Sequence, residues 1–526
     1  MDHTHSSHRL IKGAFLLTLS GLIGKVLSAG YRIPLQNIAG DIGFYIYQQV
    51  YPILGMAMML ALYGFPVAIS KLVSELKDQG VTLTLRSFYI PAFTWLLGIC
   101  GAIFLFGFTQ AHHLARVMGD EALTPSLQAA FFVFLLLPVT SLIRGVFQGQ
   151  GRMEPTAVSQ VAEQLVRVVM IIGTALYVTR IGDIYQIGVG GALSSILGTI
   201  TASIVLLVLW RRHSRFEQGA APLPAISFSK TIFFYGLFIC LNYMLLLLIQ
   251  LVDSLTIVPQ LVEVGYIPED AKGTKGVFDR GQPLIQLGTV LASSLALALV
   301  PSVTRKRKDK NPDQVHQYIF GAVKYSFLIA VGAAAGLITL FPLVNELFFQ
   351  NADGTGYLRI LMIVILFSSL AITMSSVLQG LEKVVHTAFV IIGAVVMKYL
   401  LNVWWVGEFG MYGAAAASVV AVAFVVLCHV LLLHTDFSLK EWARLPWFAT
   451  IGAAVSMAAV LFAIEALRAE IDGRLALLVY ALVIIALGAA IYLILLIRLG
   501  ALQQKELEPL PFGDWLVKLI PGGRNV

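Results

Sequence analysis

Apolar runs of twenty residues or more follow one another along this 526-residue chain, separated by short clusters of charge, glycine and proline. Residues 475–497 carry no charge at all, and 231–252 read similarly. A bilayer core takes about 20 apolar residues per spanning helix, and a helix satisfies its own backbone hydrogen bonds in hydrocarbon. Turn signals and charges divide the chain into about fourteen such segments: 10–33, 44–70, 85–109, 122–149, 155–179, 184–210, 228–253, 280–303, 316–343, 355–380, 384–405, 410–434, 443–467 and 474–499. The expected fold class is therefore an all-α integral membrane protein. The first run follows a polar start but is too long for a signal peptide and lacks a small-residue cleavage site, so it reads as a retained helix. His3, His5 and His8 in that start read as a solvated tail rather than metal ligands.

Composition narrows the class further. With 58% hydrophobic and 12% charged residues, no long polar stretch remains for a separate soluble domain. Cys100, Cys240 and Cys428 each fall inside an apolar run, which speaks for packing and against a disulfide framework or metal cluster. A net charge of +7 raises the possibility of nucleic acid, but the placement of the charge points to lipid. If the N-terminus is cytoplasmic, the inside segments hold 23 of the 36 Lys and Arg residues and the outside loops hold 8. That asymmetry predicts both termini on the cytoplasmic side of the cell membrane. Arg211, Arg212 and Arg215, and the basic run 305–308, contribute most and read as topology determinants beside anionic lipid. No nucleic-acid partner is expected. The tail beyond residue 501 is short, and 514–520 read as an amphipathic interfacial turn.

A shift of 231 positions brings two stretches into register. Pro52 falls on Pro283, Gln148-Gly149 on Gln379-Gly380, Arg152 on Lys383, Thr156-Ala157 on Thr387-Ala388, and Arg167 on Lys398. The repeat unit holds six spans, an even number, so the two copies share one orientation and are related by a pseudo-twofold axis along the membrane normal. The expected organisation is a six-helix lobe over 1–215, a second over 216–436, two additional helices over 437–500 and a cytoplasmic tail over 501–526. Twin lobes facing a central cavity suit alternating access.

Candidate chemistry begins in the first span. Lys25 and Arg32 lie seven positions apart with Ser28 between them, which places all three on one helical face about 10 Å long. An ionisable group at membrane depth costs several kcal/mol and normally faces a partner, a ligand or water. The two cations either line a cavity or snorkel to opposite interfaces. Gln160, Glu163, Gln164 and Arg167 form one polar face of the fifth span, and the Glu163–Arg167 spacing predicts a structural ion pair. Lys398 has no acid four residues before it and Asn402 one turn later, which makes it a candidate to line the cavity. Asp253, ending the seventh span, and Asp41, in the first outer loop, are candidate gating residues that pair with a cation when a gate shuts.

The stretch Gly24-Lys25-Val26-Leu27-Ser28-Ala29-Gly30-Tyr31-Arg32-Ile33-Pro34-Leu35, followed by Gly40-Asp41-Ile42-Gly43 and Tyr51-Pro52, resembles the opening of the polysaccharide-transporter branch of the MOP exporter superfamily. Within that branch the chain looks most like the SpoVB/YabM/YtgP-type proteins, relatives of the lipid II flippases. The resemblance covers essentially the whole chain. It implies a flippase for polyprenyl-diphosphate-linked glycans that serve cell-envelope or spore-wall polymers, and it implies no enzyme activity or cofactor. It matches Lys25, Arg32 and Asp41 to the basic residues of the family's first helix and the acid just after it. Arg280 resembles a further basic residue of the family's cavity. Ser28 and Gln36 stand near enough to hydrogen-bond sugar or phosphate. Cations suit that cargo because Lys and Arg offer charge-assisted donors to phosphate oxygens. Two alternatives remain: a MATE-like cation or drug exporter, and a membrane glycosyltransferase using Asp41 as its carboxylate. Coupling to an ion or to the membrane potential is open, and the protein is expected to work as a monomer.

Overall fold

The computed structural model describes residues 16, 19–80, 83–213, 230–290, 312–434, 439–469, 471–508 and 513–520. His3, His5, His8, Arg215 and the basic run 305–308 lie outside them, as does most of the expected eighth span beyond residue 290. Among the described residues, 11 continuous helical stretches are long and apolar enough to cross a bilayer. Leu19–Asp78, with 60 residues, and Val384–Leu433, with 50, are each long enough to cross twice. Each breaks at a glycine: Gly40 (φ 67°) and Gly410 (φ 58°) adopt backbone angles that penalise any residue with a Cβ. The loops expected at 34–43 and 406–409 are therefore contracted to sharp kinks between abutting helices.

The chain forms two compact units, 1–290 with 382–417 and 291–381 with 418–526. The first contains α1 (19–30), α2 (Arg32–Met59), α3 (Phe65–Asp78), α4 (Ile90–Val117), α5 (Thr124–Phe131) and α6 (Leu137–Gly149). It continues with α7 (Glu154–Ile181), α8 (Gln186–His213), α9 (Gly236–Tyr243), α10 (Leu245–Glu263), α11 (Pro268–Asp279) and α12 (Gly281–Gly288). Proline marks the first turn of α3, α4, α5, α6, α7 and α11, where its missing N–H would have had no helical partner. Two of these prolines interrupt helices rather than start them. Ahead of Pro66 and Pro91 the chain takes one wide π turn, Leu60–Gly64 and Leu85–Tyr89, which accommodates a ring that clashes with an ordinary turn. At the first of these the Phe65 N–H reaches back to the Leu60 carbonyl. The Ala61 carbonyl is thereby released from its usual helical partner and accepts from Arg144 Nη1 at 3.2 Å.

The second unit holds α13 (Pro312–Phe349), α14 (Thr355–Leu361), α15 (Val364–Gly380), the later part of α16 (Val384–Leu433), α17 (Leu439–Ala443), α18 (Trp447–Ala466) and α19 (Arg474–Arg498). Leu328, Leu340, Leu343 and Leu347 of α13 pack against Ala453, Met457 and Leu461 of α18 and Ile484 and Leu496 of α19. The tail joins this core instead of hanging free: Leu502, Leu507 and Leu516 are buried in the same cluster. Its short helix α20 (Gln504–Leu507) brings both Glu506 oxygens to Lys324 Nζ, at 2.8 and 2.7 Å. Tyr325 Oη and the Gln503 N–H donate to the same carboxylate. Burial alone would raise the Glu506 pKa; the donors outweigh it and hold the group below its ordinary value. A depressed carboxylate stabilises above its unfolded pKa, and the contribution disappears as pH falls through the folded one. The tail should therefore stay protected from protease at neutral pH and become cleavable within 501–508 below about pH 4, where carboxylates protonate. Protection that persists to pH 2 would show that the apolar contacts alone hold it.

Candidate functional site

Arg32 opens α2 and is 1% exposed. Its guanidinium carbon lies 3.8 Å from the centre of the Tyr51 ring, well inside the reach of about 6 Å of a cation–π contact. Nε, Nη1 and Nη2 form no hydrogen bond. Lys25, on α1, is half-buried and enters no ion pair among the described residues. Ser28 is buried between them. α1 packs at Gly24 beside Gln160 and Gln164 of α7, and Ser20 Oγ donates to Gln160 Oε1 at 3.3 Å.

The polar face of α7 is occupied by a buried triad. Glu163 Oε1 accepts from Arg167 Nη2 at 2.9 Å and Glu163 Oε2 from Arg144 Nη2 at 2.9 Å. Arg144 is fully buried, held also by Ser159 Oγ and the Ala61 carbonyl that the π turn released. Met58 Sδ accepts from Arg167 Nη1 and from Gln164. Arg144, inside the span 122–149, was not singled out from the sequence. Its place at the Arg144-Gly145-Val146-Phe147-Gln148-Gly149 end of an apolar run was legible, but only the packing of α6 beside α7 shows the partner.

A third cation, Arg280, is clasped. Its Nε and Nη2 donate to Asp41 Oδ1 and Oδ2 at 2.9 and 2.5 Å, a fork-on-fork pair. Gln36 Nε2 donates to the same Oδ1 at 3.0 Å, so Gln36 faces the carboxylate. The close approach depends on Gly276 of α11, where an added Cβ would collide with the Asp41 carbonyl. The segment expected as an outer loop, 254–279, instead continues α10 and then forms α11. Gly276→Ala should lower unfolding stability by about 1–3 kcal/mol, the usual cost of overpacking, seen as a lower Tm in detergent. An unchanged Tm would show that α11 can shift without loss.

The C-terminal part of this unit repeats the pattern with other residues. Lys398 Nζ lies 2.8 Å from Asp253 Oδ1 and donates to the Ala414 carbonyl at 3.0 Å. Asn402 Nδ2 donates to Asp253 Oδ1 at 2.9 Å and Thr256 Oγ1 at 2.8 Å. Lys398 and Asp253 are essentially unexposed, so in this structure Lys398 faces a carboxylate. Lys275 and Asp279, one turn apart on α11, pair at 2.5 Å. Neither was singled out from sequence, although their i, i+4 spacing was legible.

A last pair links α11 to the turns after α4 and α7. Lys272 Nζ lies 3.2 Å from Asp120 Oδ1 and donates to Tyr185 Oη at 3.0 Å, while Tyr185 and Tyr45 both donate to Asp120 Oδ2. Burial lowers the Lys272 pKa, but Tyr185 and Asp120 outweigh it and raise the ammonium above its ordinary value. Such a contribution is complete below the unfolded lysine pKa and lost only as pH rises past the folded one. This clasp is therefore constant across physiological pH.

Every buried or half-buried acid named here thus meets a cation: Asp41, Asp120, Asp253 and Asp279 one each, Glu163 two. Among the described residues Arg32 and Lys25 form no ion pair, and the carboxylate of Asp279, already paired with Lys275, acts on Arg32 only from a distance. An uncompensated buried charge is strongly unfavourable, so this interior is left asking for negative charge.

The polysaccharide biosynthesis protein model matches residues 10–305, and the MatE model matches 276–404. The uncharacterized membrane protein YabM of Bacillus subtilis is 38% identical over 524 residues, covering 98% of this chain and 97% of that protein. The lipid II flippase MurJ of the same organism is 25% identical over 539 residues, with coverages of 95% and 97%. Stage V sporulation protein B, also from B. subtilis, is 25% identical over 521 residues, with coverages of 95% and 97%. Among solved structures, the lipid II flippase MurJ in an inward closed conformation superposes with TM-score 0.61 at 16% identity, covering 92% of this chain and 97% of that one. An inward-facing multidrug resistance MATE family transporter of the MOP superfamily gives 0.60 at 16%, covering 80% and 95%. At these identities the superpositions establish a shared fold.

Proposed function

This chain belongs to the polysaccharide biosynthesis protein family, in the polysaccharide-transporter branch of the MOP exporter superfamily, and from that premise we propose that it flips polyprenyl-diphosphate-linked glycans across the cell membrane. It is a multi-pass membrane protein whose relatives include a flippase. The observation that carries the cargo class is the pair of cations without an ion-pair partner among the described residues, Arg32 and Lys25, in a unit whose buried acids are matched. A diphosphate supplies the missing charge. Ser28 lies between the cations and adds a hydroxyl to the same face. Lys398 and Arg280 belong to the cargo path only when their carboxylates let go, which gives Asp253 and Asp41 their gating role. The Glu163–Arg167 pair, extended by Arg144, is the fixed part.

In this reading the lobes 1–215 and 216–436 rock about a pseudo-twofold axis, and the helices over 437–500 and the tail from 501 lie outside it. The termini are cytoplasmic, and the protein works as a monomer among membrane lipids with no nucleic acid and no metal. With about 100 mV negative inside, two negative charges moving outward gain about 4–5 kcal/mol, so the membrane potential suffices as a drive. A glycosyltransferase needs a free base, and both Asp41 oxygens are engaged. The MatE match over 276–404 and the MATE-like fold support a second reading, export of organic cations.

Proteoliposomes loaded with labelled undecaprenyl-diphosphate sugars decide between them. Lys25→Ala and Arg32→Ala should each cut translocation at least tenfold, with equal insertion. Full flipping by the double variant removes the proposed site, and selective uptake of organic cations by the wild type replaces the cargo.

A further inference from the structure

Arg32 is surrounded by phenols. Tyr31, Tyr47 and Tyr51 are all buried and are its main electrostatic neighbours. The Tyr31 and Tyr47 rings meet edge to face at 6.0 Å between centres with their hydroxyls in contact, and Tyr47 packs on Tyr51 at 5.9 Å. Behind them Leu35, Phe44, Ile171 and Ile187 complete an apolar backing. Elsewhere in this unit a buried arginine is met by a carboxylate: Arg144 and Arg167 by Glu163, Arg280 by Asp41. Of the buried arginines among the described residues, only Arg32 has a ring face in that place. The difference has a chemical consequence. A carboxylate neutralises a guanidinium and occupies its N–H fork, whereas a ring face stabilises the charge from above and leaves the in-plane N–H groups open. The three guanidinium nitrogens form no hydrogen bond and are themselves buried, so the edge is unoccupied in this state and becomes reachable only when the site opens.

We infer that Tyr31, Tyr47 and Tyr51 form an aromatic cradle that holds Arg32 charged and unneutralised, making it the fork that receives a diphosphate, with Tyr51 as the positioning residue and the Tyr31–Tyr47 hydroxyl pair as additional donors. This rests on Arg32 being a cargo-binding cation, and it names the residues that set that site's preference for anions. A carboxylate in place of Tyr51 would satisfy Arg32 internally and close the site. A ring without a hydroxyl would preserve it. The cradle predicts that anion binding follows the ring and not the phenol at position 51, whereas a merely space-filling role would follow side-chain volume.

The test uses the purified full chain in detergent and inorganic pyrophosphate, followed by calorimetry, so that it does not depend on translocation. Wild type should bind, Tyr51→Phe should bind within threefold, and Tyr51→Leu and Tyr51→Glu should bind at least tenfold more weakly. Arg32→Gln should abolish binding, and Tyr31→Phe with Tyr47→Phe should weaken it two- to fivefold. Thermal unfolding of each variant confirms a folded protein; where Tyr51→Leu does not fold, Tyr51→Met replaces it. Pyrophosphate binding by the leucine or methionine variant equal to wild type overturns the cradle, as does no binding by the wild type. Binding with the expected order, without flipping of any polyprenyl-diphosphate glycan, leaves the cradle standing and removes the flippase reading.

Discussion

Glu163→Gln should be the most damaging single conservative change in the first unit. The amide keeps the shape and one acceptor but removes the only negative charge shared by Arg144, which is fully buried, and Arg167. Removing one partner of a buried ion pair costs about 3–5 kcal/mol, because the remaining charge stays in a medium that solvates it poorly. Here two charges remain. The expected result is a fall in Tm of the detergent-solubilised protein and a sharp loss of membrane-inserted material. Replacing the whole triad by apolar residues of similar size, Glu163→Leu with Arg144→Met and Arg167→Met, should recover most of the stability, since the desolvation cost disappears along with the attraction. If the recovered protein flips cargo normally, the triad is a structural rivet. If it folds but does not flip, Arg167, whose Nε is unbonded, also touches cargo. A Glu163→Gln protein as stable as wild type would show that the arginines find other acceptors.

How much of this was legible beforehand follows from what each signal measures. Hydropathy reports burial along one segment, so the helical membrane fold could be read directly and the number of segments roughly. It does not report how sharply one segment turns into the next. The loops expected around Gly40 and Gly410 contracted to kinks because a single glycine at positive φ turns the chain that sharply. Spacing along one helix likewise exposes i, i+4 partners, which is why the Glu163–Arg167 pairing could be anticipated. Partners on other helices leave no such trace. Lys398 looked unmatched because its acid, Asp253, is supplied by α10, and Arg144 drew no attention because its acid lies on α7. Arg167 thus meets its acid on its own helix and Lys398 meets its acid from across the unit. The expectation that Arg280 faces cargo and Asp41 gates treated as separate two residues that the close approach at Gly276 brings into one pair.

That pair yields the second large effect. Arg280 is wholly buried while the Asp41 side chain is 25% exposed, so the two single substitutions are unequal. Asp41→Asn strands a buried guanidinium and should cost about 3–5 kcal/mol of whatever state contains the pair. Arg280→Gln leaves a carboxylate that water can reach and should cost less. If the pair exists only in the state shown here, each substitution shifts population toward the open one, and 3 kcal/mol is more than a hundredfold in that ratio. An accessibility probe reads this directly: Ile42→Cys, in a background with Cys100→Ser, Cys240→Ser and Cys428→Ser, should label at least tenfold faster with a membrane-impermeant maleimide when Asp41→Asn is added. Flipping should fall in the same variant, because a transporter that cannot close one side cannot complete a cycle. The exchanged pair, Asp41→Arg with Arg280→Asp, should restore part of both, since attraction survives while the geometry of the fork does not. Equal labelling rates with and without the substitution would mean that α11 stays against α2 by packing alone, and the clasp of Lys272 on Asp120 and Tyr185 would then be the place to cut next.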